Sequence, residues 1–395
     1  MLRISKRTLS KNCQRFYSSG AEYINAAPTY NSKTVETIPL ISDPSYHIPN
    51  NSTIFSGIQP TGMFHLGNYF GATRNWSDLS EKIKNENINS KLLFFIADLH
   101  SLTVPQDYKK LQEQRLEAFA SLIACGIDPE QATVFYQSQI PEHSQLQWIL
   151  SCFTGIGILN RMTQWKSKAN LKSNATIEGS GELGKVKLGL FAYPVLMASD
   201  VLLYNATHVP VGLDQSQHLE LTREIAEAFN KQTKSGFFNI PKTLLAPSKK
   251  ILSLKNPAKK MSKSDPDVNS KIFITESPTQ IRKKINKTVT DSIEGKITFD
   301  PLNRPGISNL LTILSAVERC RIEDLVPKVE HFSKKELKEL VAESLVKDLS
   351  IPSSKYAELM KNREYLDKLS KQGTQKAREI ASKNLKEVMK LVGMA

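Results

Sequence analysis

Two short apolar runs, KLLFFIAD at residues 91–98 and ATVFYQSQ at 132–139, flank a stretch with helical periodicity, and this alternation constrains the fold more than any other feature. Each run has the length and composition of a buried strand. Between them, PQDYKKLQEQRLEAFASLIACG carries Leu111, Leu116, Phe119 and Leu122 at helical spacing, with Gly126 placed to end the helix. An earlier apolar run, TIFSGI from Thr53, ends in glycine. The spacing predicts a parallel sheet covered by helices, with ligands at the carboxyl ends of its strands.

After Pro305 the strand signal fades. ISNLLTILSAVE, KKELKELVAESLVKDL and QKAREIASKNLKEVMKLVG are amphipathic helical patterns rich in lysine. From Lys328 onward there are 15 Lys/Arg against 10 Asp/Glu, so a second, all-helical and mildly basic region is expected. Solvated helix faces account for most of those lysines.

The 395 residues suit two domains, and no apolar run approaches the ~18 residues that a membrane-spanning helix needs. Formal net charge is +14, which favours a polyanionic partner. Part of it lies in MLRISKRTLSKNCQRFYSSGA, where Arg3, Lys6, Arg7, Lys11 and Arg15 precede the first acid, Glu22. This Ser-rich, acid-free start has the composition of a mitochondrial transit peptide, and it lacks the apolar core of a secretory signal. Arg15-Phe16-Tyr17-Ser18 places a processing site after Tyr17, which gives a leader at 1–17 and a flexible linker at 18–51. A basic tail that grips nucleic acid is the alternative. Cys13, Cys125, Cys152 and Cys320 form no C-x-x-C pair, so neither a disulfide framework nor a zinc site is expected. Cys125 and Cys152 lie in apolar context and read as core residues.

Two stretches carry chemistry. In FSGIQPTGMFHLGNYFGA (55–72) a strand ends at Gly57, a turn follows, and His65-Leu66-Gly67-Asn68 begins an aromatic-rich helix. Glycines let a ligand approach the backbone, and a helix N-terminus presents N–H groups to a phosphate. His65 adds a side-chain donor, although a histidine at that place is often only a cap. In KKMSKSDPD (259–267), Lys259, Lys260 and Lys263 surround Met261 and Ser262 ahead of Asp265-Pro266. Lysine suits a loop that closes over polyphosphate and lets it go. Downstream, Ser277, Pro278 and Gln280 read as the cap, first turn and capping box of a helix.

Together the stretches resemble the HIGH and KMSKS signatures of class I aminoacyl-tRNA synthetases, with Asn68 where the second histidine of HIGH usually stands. Over 53–395 the chain is similar to the tryptophanyl branch of bacterial and organellar type. GLFAYPVLMASDVLLYNATHVPVGLDQSQHLELTREIAEAFN (189–230), TDSIEGKITFDP and PGISNLLTIL carry the likeness. It implies a Rossmann-like parallel-sheet catalytic domain at 52–255, a KMSKS loop at 256–270 and a helical tRNA anticodon-binding region at 271–395. It further implies a homodimer, in the mitochondrial matrix, acting on ATP with Mg2+, L-tryptophan and tRNA(Trp), with no protein-ligated metal.

Site roles follow residue by residue from the same likeness. Gln59, Pro60, Thr61, Gly67 and Asn68 would contact ATP, as would Gly212, Leu213 and Asp214 at the ribose. Ile251, Lys260, Met261, Ser262, Lys263 and Ser264 would meet adenine and phosphates. Gln215 and Tyr193 would hold the α-amino group and Asp200 the indole N–H, in a pocket lined by Phe55, His100, Met197, Val209 and Val211. His65, Lys168, Lys260 and Lys263 would neutralise the leaving pyrophosphate, and Lys166 matches a second basic residue near it. The segment 169–188 is longer than in compact bacterial forms.

The residues alone agree with this on one point. Tyr193, Met197 and Asp200 share a helix face, and a Met with one carboxylate suits a large apolar side chain bearing a single donor. A tyrosyl enzyme, which typically has Gln at the Met197 position, and a non-catalytic RNA-binding relative remain the alternatives.

Overall fold

The structure, a computed structural model, describes residues 46–171, 186–245 and 250–395. The leader expected at 1–17, most of the linker at 18–51 and the middle of the 169–188 segment lie outside the described residues.

Five strands, β1 (Ser52–Ile58), β2 (Ser90–Ile96), β3 (Ala132–Tyr136), β4 (His208–Val211) and β5 (Lys242–Leu245), form one parallel sheet among the described residues. Their order is β3-β2-β1-β4-β5. The chain therefore winds outward from β1 in one direction and resumes on its other side at β4, which makes the β1/β4 boundary the switch point. The fold is α/β and Rossmann-like, with a helical C-terminal region.

β1 pairs with β2 from Ser52↔Ser90 to Ile58↔Ile96, but with β4 at Ile54↔His208. Pro210 has no N–H to continue that ladder. The Ser56 hydroxyl instead donates to the Pro210 carbonyl at 2.7 Å. Where main-chain pairing stops, the two strands can separate toward their carboxyl ends, and a crevice can form.

Helices cover both faces: α1 (Arg74–Asn85), α2 (Tyr108–Ala124), α3 (Glu142–Ser151), α4 (Leu188–Leu203), α5 (Ser216–Gln232), α6 (Pro278–Asn286), α7 (Pro305–Val317), α8 (Ile322–Val329), α9 (Lys334–Lys361) and α10 (Arg363–Leu391). Alternating strand residues divide the core in two. Ile54, Leu92, Phe94, Ile96 and Val134 face α1, α2, α7 and α9, whereas Phe55, Leu93, Phe95 and Phe135 face α3, α4 and α5. α2 ends as its glycine predicts, with Gly126 at φ +103°. α6 has the expected capping box between Ser277 and Gln280. Cys152 departs from expectation and is exposed. It lies one turn beyond exposed Trp148 on α3, on the face opposite buried Leu146 and Leu150. No helix among the described residues is long and apolar enough to cross a membrane.

α10 belongs to both cores. Leu366 and Leu369 pack on one face of the sheet, and Ala377, Ala381, Leu385 and Val388 on the other. To pass between them the helix crosses the edge strand β3 at Gly373, where a Cβ would overlap the Val134 carbonyl oxygen. Around the crossing, Thr374 donates to Gln139 at 2.6 Å, Ser382 to Glu142 at 2.6 Å, and Asn384 to the Leu203 carbonyl at 2.8 Å. Gly373→Ala should therefore destabilise the protein by about 1–3 kcal/mol, as overpacking against rigid backbone does. A lowered urea midpoint at unchanged m-value would show it.

Candidate active site

At the carboxyl end of β1 the chain turns through Gln59, Pro60 and Thr61 to His65, which caps the helical turn Leu66–Asn68. His65 Nδ1 accepts the Gly67 N–H at 2.9 Å, and the Asn68 side chain accepts the His65 N–H at 3.3 Å. A π-helical turn, Tyr69–Thr73, then leads into α1. The segment around His65 pairs with the chain just beyond the lysine loop: Leu66 N donates to Ile272 O at 2.9 Å, and Ile274 N to Phe64 O at 3.0 Å. Two stretches far apart in sequence are thereby held side by side.

The loop itself leaves a small hairpin. Leu252 bridges Lys260, and Met261 N donates to Ile251 O at 3.0 Å. Asn309 of α7 fastens Leu252 through both its amide groups, at 2.8 and 3.0 Å. Ile251 and Met261 point into the core, so what they offer a ligand is backbone. Lys260, Ser262 and Ser264 are exposed, and the two serine hydroxyls lie 2.9 Å apart. Lys263 Nζ reaches back to donate to the Thr61 carbonyl, 202 residues away in sequence. A Cβ at Gly62, whose φ is +79°, would overlap that ammonium.

Electrostatics at this end are cationic. Burial pushes the His65 imidazole down to about 4, helped by Lys260, Lys263 and Lys271. His65 is thus neutral near pH 7. With Nδ1 accepting, its proton sits on Nε2, and it can give a hydrogen bond from there. Lys271 was not singled out in the sequence. It is 5% exposed and donates to the carbonyls of Lys263 and Asp265, pinning the loop from beneath.

On the far side of the sheet α4 presents Tyr193, Met197 and Asp200 as its periodicity predicts, with Tyr193 and Asp200 buried and Met197 half-buried. Asp200 is 1% exposed. His100 Nε2 (2.9 Å), His143 Nδ1 (2.7 Å) and Gln137 Nε2 (2.7 Å) all donate to it. Burial alone would push this carboxyl up, but the hydrogen bonds from His100 and His143 outweigh burial and hold it below the usual range. Phe55 is stacked between Phe95 and Tyr204, at 4.8 and 5.0 Å, and together with buried Val209 forms wall rather than surface. Val211 is half-buried at the end of β4.

Beyond β4, Gly212, exposed Leu213 and Asp214 lead into α5. Gln215 Nε2 donates to Asp214 at 3.0 Å, and Gln164 Nε2 to the Asp214 carbonyl. His218 Nε2 lies 2.9 Å from the Tyr193 hydroxyl. Lys168 places Nζ 4.4 Å above the Tyr193 ring, and buried Lys166 lies over Trp165 at 5.6 Å. The structure therefore sets Lys168 at the Tyr193 end and gives it no described contact with Lys260, Lys263 or His65. Gln137, His143, Tyr204, Gln164 and His218 escaped the sequence reading. For His218 a signal existed, since it lies three residues after Gln215 on one helix face.

The family model described as tRNA synthetases class I (W and Y) matches residues 49–350. The chain is 50% identical over 349 residues to the mitochondrial tryptophan--tRNA ligase of Saccharomyces cerevisiae, covering 87% of this chain and 91% of that one. Among solved structures it resembles tryptophanyl-tRNA synthetase from Mycoplasma pneumoniae (TM-score 0.72, 32% identity, 87% of this chain and 98% of that one). It also resembles the Campylobacter jejuni enzyme complexed with ADP and tryptophan (TM-score 0.67, 32% identity, 86% and 99%).

Acid sensitivity follows from the buried imidazoles. Burial, with Lys168 next, pushes His218 down to about 4, as His65 is pushed, and burial lowers His208 as well. Unfolded histidines titrate near 6.5. Between about pH 4 and 6.5 the unfolded chain therefore binds more protons than the folded one, and stability should fall as pH drops through that window. Urea midpoints at about pH 7.5 and about pH 5 would check this, and His218→Asn should flatten the difference.

Proposed function

The chain belongs to the class I tRNA synthetases of the tryptophan and tyrosine group, and from that premise we propose how its own residues carry out the family's reaction. That reaction is the ATP-dependent ligation of L-tryptophan to mitochondrial tRNA(Trp) through tryptophanyl-adenylate. A tryptophan carboxylate oxygen attacks the α-phosphorus of ATP in line, the bond to the β-phosphate oxygen breaks, and pyrophosphate leaves. A hydroxyl of the tRNA 3′-terminal ribose then attacks the adenylate carbonyl and releases AMP.

One observation supports the site assignment above the others. Lys263 Nζ lies on the Thr61 carbonyl, so the lysine loop and the turn after β1 converge at the sheet's switch point. Phosphates enter there. Lys260 and Lys263 supply charge, and His65 supplies an Nε2–H donor. Gly212, Leu213 and Asp214, across the crevice at the end of β4, face the ribose, and Mg2+ travels with the ATP. The amino acid lies toward α4. Gln215 and Tyr193 hold its α-amino group, Met197 and Val211 contact the ring, and Asp200 accepts the indole N–H. The protein does little covalent work, and positioning and charge stabilisation dominate.

The remaining assignments are of the same kind. The basic helices α9 and α10 face the tRNA, and the protein works in the mitochondrial matrix. It pairs with a second copy, for which α3 and the short helix Ile156–Arg161 supply exposed Trp148 and Ile156, 72% and 67% accessible.

Amino-acid-dependent ATP–pyrophosphate exchange tests the reading. Exchange should occur with tryptophan and not with tyrosine, and exchange with tyrosine would overturn the roles of Met197 and Asp200. Lys263→Ala should lower single-turnover adenylate formation about 10²–10³-fold, the usual effect of losing one well-aimed donor, while tryptophan affinity changes little.

A further inference from the structure

Asp200 is held by groups whose number decides what it can still accept. An ionised carboxylate has about four lone-pair directions. Gln137 Nε2 and His143 Nδ1 take two at Oδ1, both at 2.7 Å, and His100 Nε2 takes one at Oδ2, at 2.9 Å. His143 is fully buried, and behind it the Tyr204 hydroxyl stands 3.0 Å from Nε2. An ionised carboxylate can only accept, so His143 carries its proton on Nδ1, facing Asp200. Its Nε2 is then the acceptor, and the Tyr204 hydroxyl donates to it and holds that tautomer in place. Donation runs one way, from Tyr204 to His143 to Asp200. Carboxylate torsions are otherwise soft and roughly two-fold.

We propose that His143, backed by Tyr204, is a positioning residue for side-chain selection. It locks the Asp200 carboxylate so that the remaining lone pair on Oδ2 meets a single N–H donor, the indole of the substrate. The proposal rests on Asp200 being the indole acceptor, as put forward above. A carboxylate already taking three donors accepts one more and punishes a ligand that brings none. With His143 gone, the carboxylate gains a direction to fill and a freedom to rotate, and its preference for an N–H at one place weakens. His143 touches no substrate in this account, so its loss should show in discrimination before it shows in the chemical step.

The test uses the purified full-length protein in pyrophosphate exchange. kcat and KM are measured separately for tryptophan and for the analogue in which sulfur replaces the indole N–H. The wild type should prefer tryptophan by about 10²-fold or more in kcat/KM, since sites built around a hydrogen bond reject analogues that lack it. His143→Leu should shrink that preference at least about tenfold, mainly through the KM for tryptophan, with the sulfur analogue little affected. His143→Asn, whose Nδ2 stands where Nδ1 stood, should retain it. Tyr204→Phe, which removes one oxygen from an otherwise packed ring, should lower it about threefold or more.

Proportional loss with both substrates in His143→Leu would make His143 merely structural and overturn the proposal, as would an undiminished preference. Should the leucine variant fail to fold, Tyr204→Phe decides alone, and an unchanged preference there overturns it equally. A wild type that shows no preference would instead bring down the reading of Asp200, before any variant is considered.

Discussion

A negative charge shut away from water is the constraint on which the packing around α4 depends. Removing a carboxylate from solvent costs several kcal/mol unless donors replace the water. For Asp200 those donors come from His100 beyond β2, Gln137 beyond β3 and His143 on α3, while Asp200 itself rides on α4. Satisfying one side chain therefore fixes two helices and two strand ends relative to each other. The surroundings of Asp200 are set by that requirement as much as by the apolar packing of Phe55, Phe95 and Tyr204.

The lysine-loop end is built on an opposite plan. Lys260, Ser262 and Ser264 are exposed, and Lys263 donates to a backbone carbonyl with the Glu117 carboxylate close by. From beneath, buried Lys271 ties the loop to the body of the protein through the carbonyls of Lys263 and Asp265. Groups that must grip a polyphosphate and release it within each cycle cannot be committed to a buried network. Tryptophan recognition calls for rigidity, and pyrophosphate departure calls for partners that exchange easily.

The sequence was most legible where structure is local. The strand runs, the α2 periodicity with its terminal glycine, and the Ser277–Gln280 capping box each depend on neighbours within a few residues, and each stands as the pattern predicts. The two signature segments were legible because their residue types carry chemistry. Lost were groups whose role comes from long-range contact: His143 and Gln137 acting on Asp200, Tyr204 behind His143, Lys271 beneath the loop, and Asn309 bracing Leu252. Nothing in the immediate surroundings of His143 marks it as different from any core histidine. Cys152 was misread for a related reason. Apolar neighbours in sequence say little about which side of a helix a residue takes.

The passage of α10 over β3 also sets an order of events. β3 presents one edge to β2, and its other edge meets a helix that follows it by more than two hundred residues. Until that helix arrives, a five-residue strand of ATVFY stands with unpaired N–H and C=O groups on a bare edge, the arrangement through which sheets of separate chains join. The parallel sheet is slow to assemble for the same topological reason. The nascent sheet therefore keeps an open edge until the last long helix docks, and the length of that exposure is set by the stretch of chain between Val134 and Gly373.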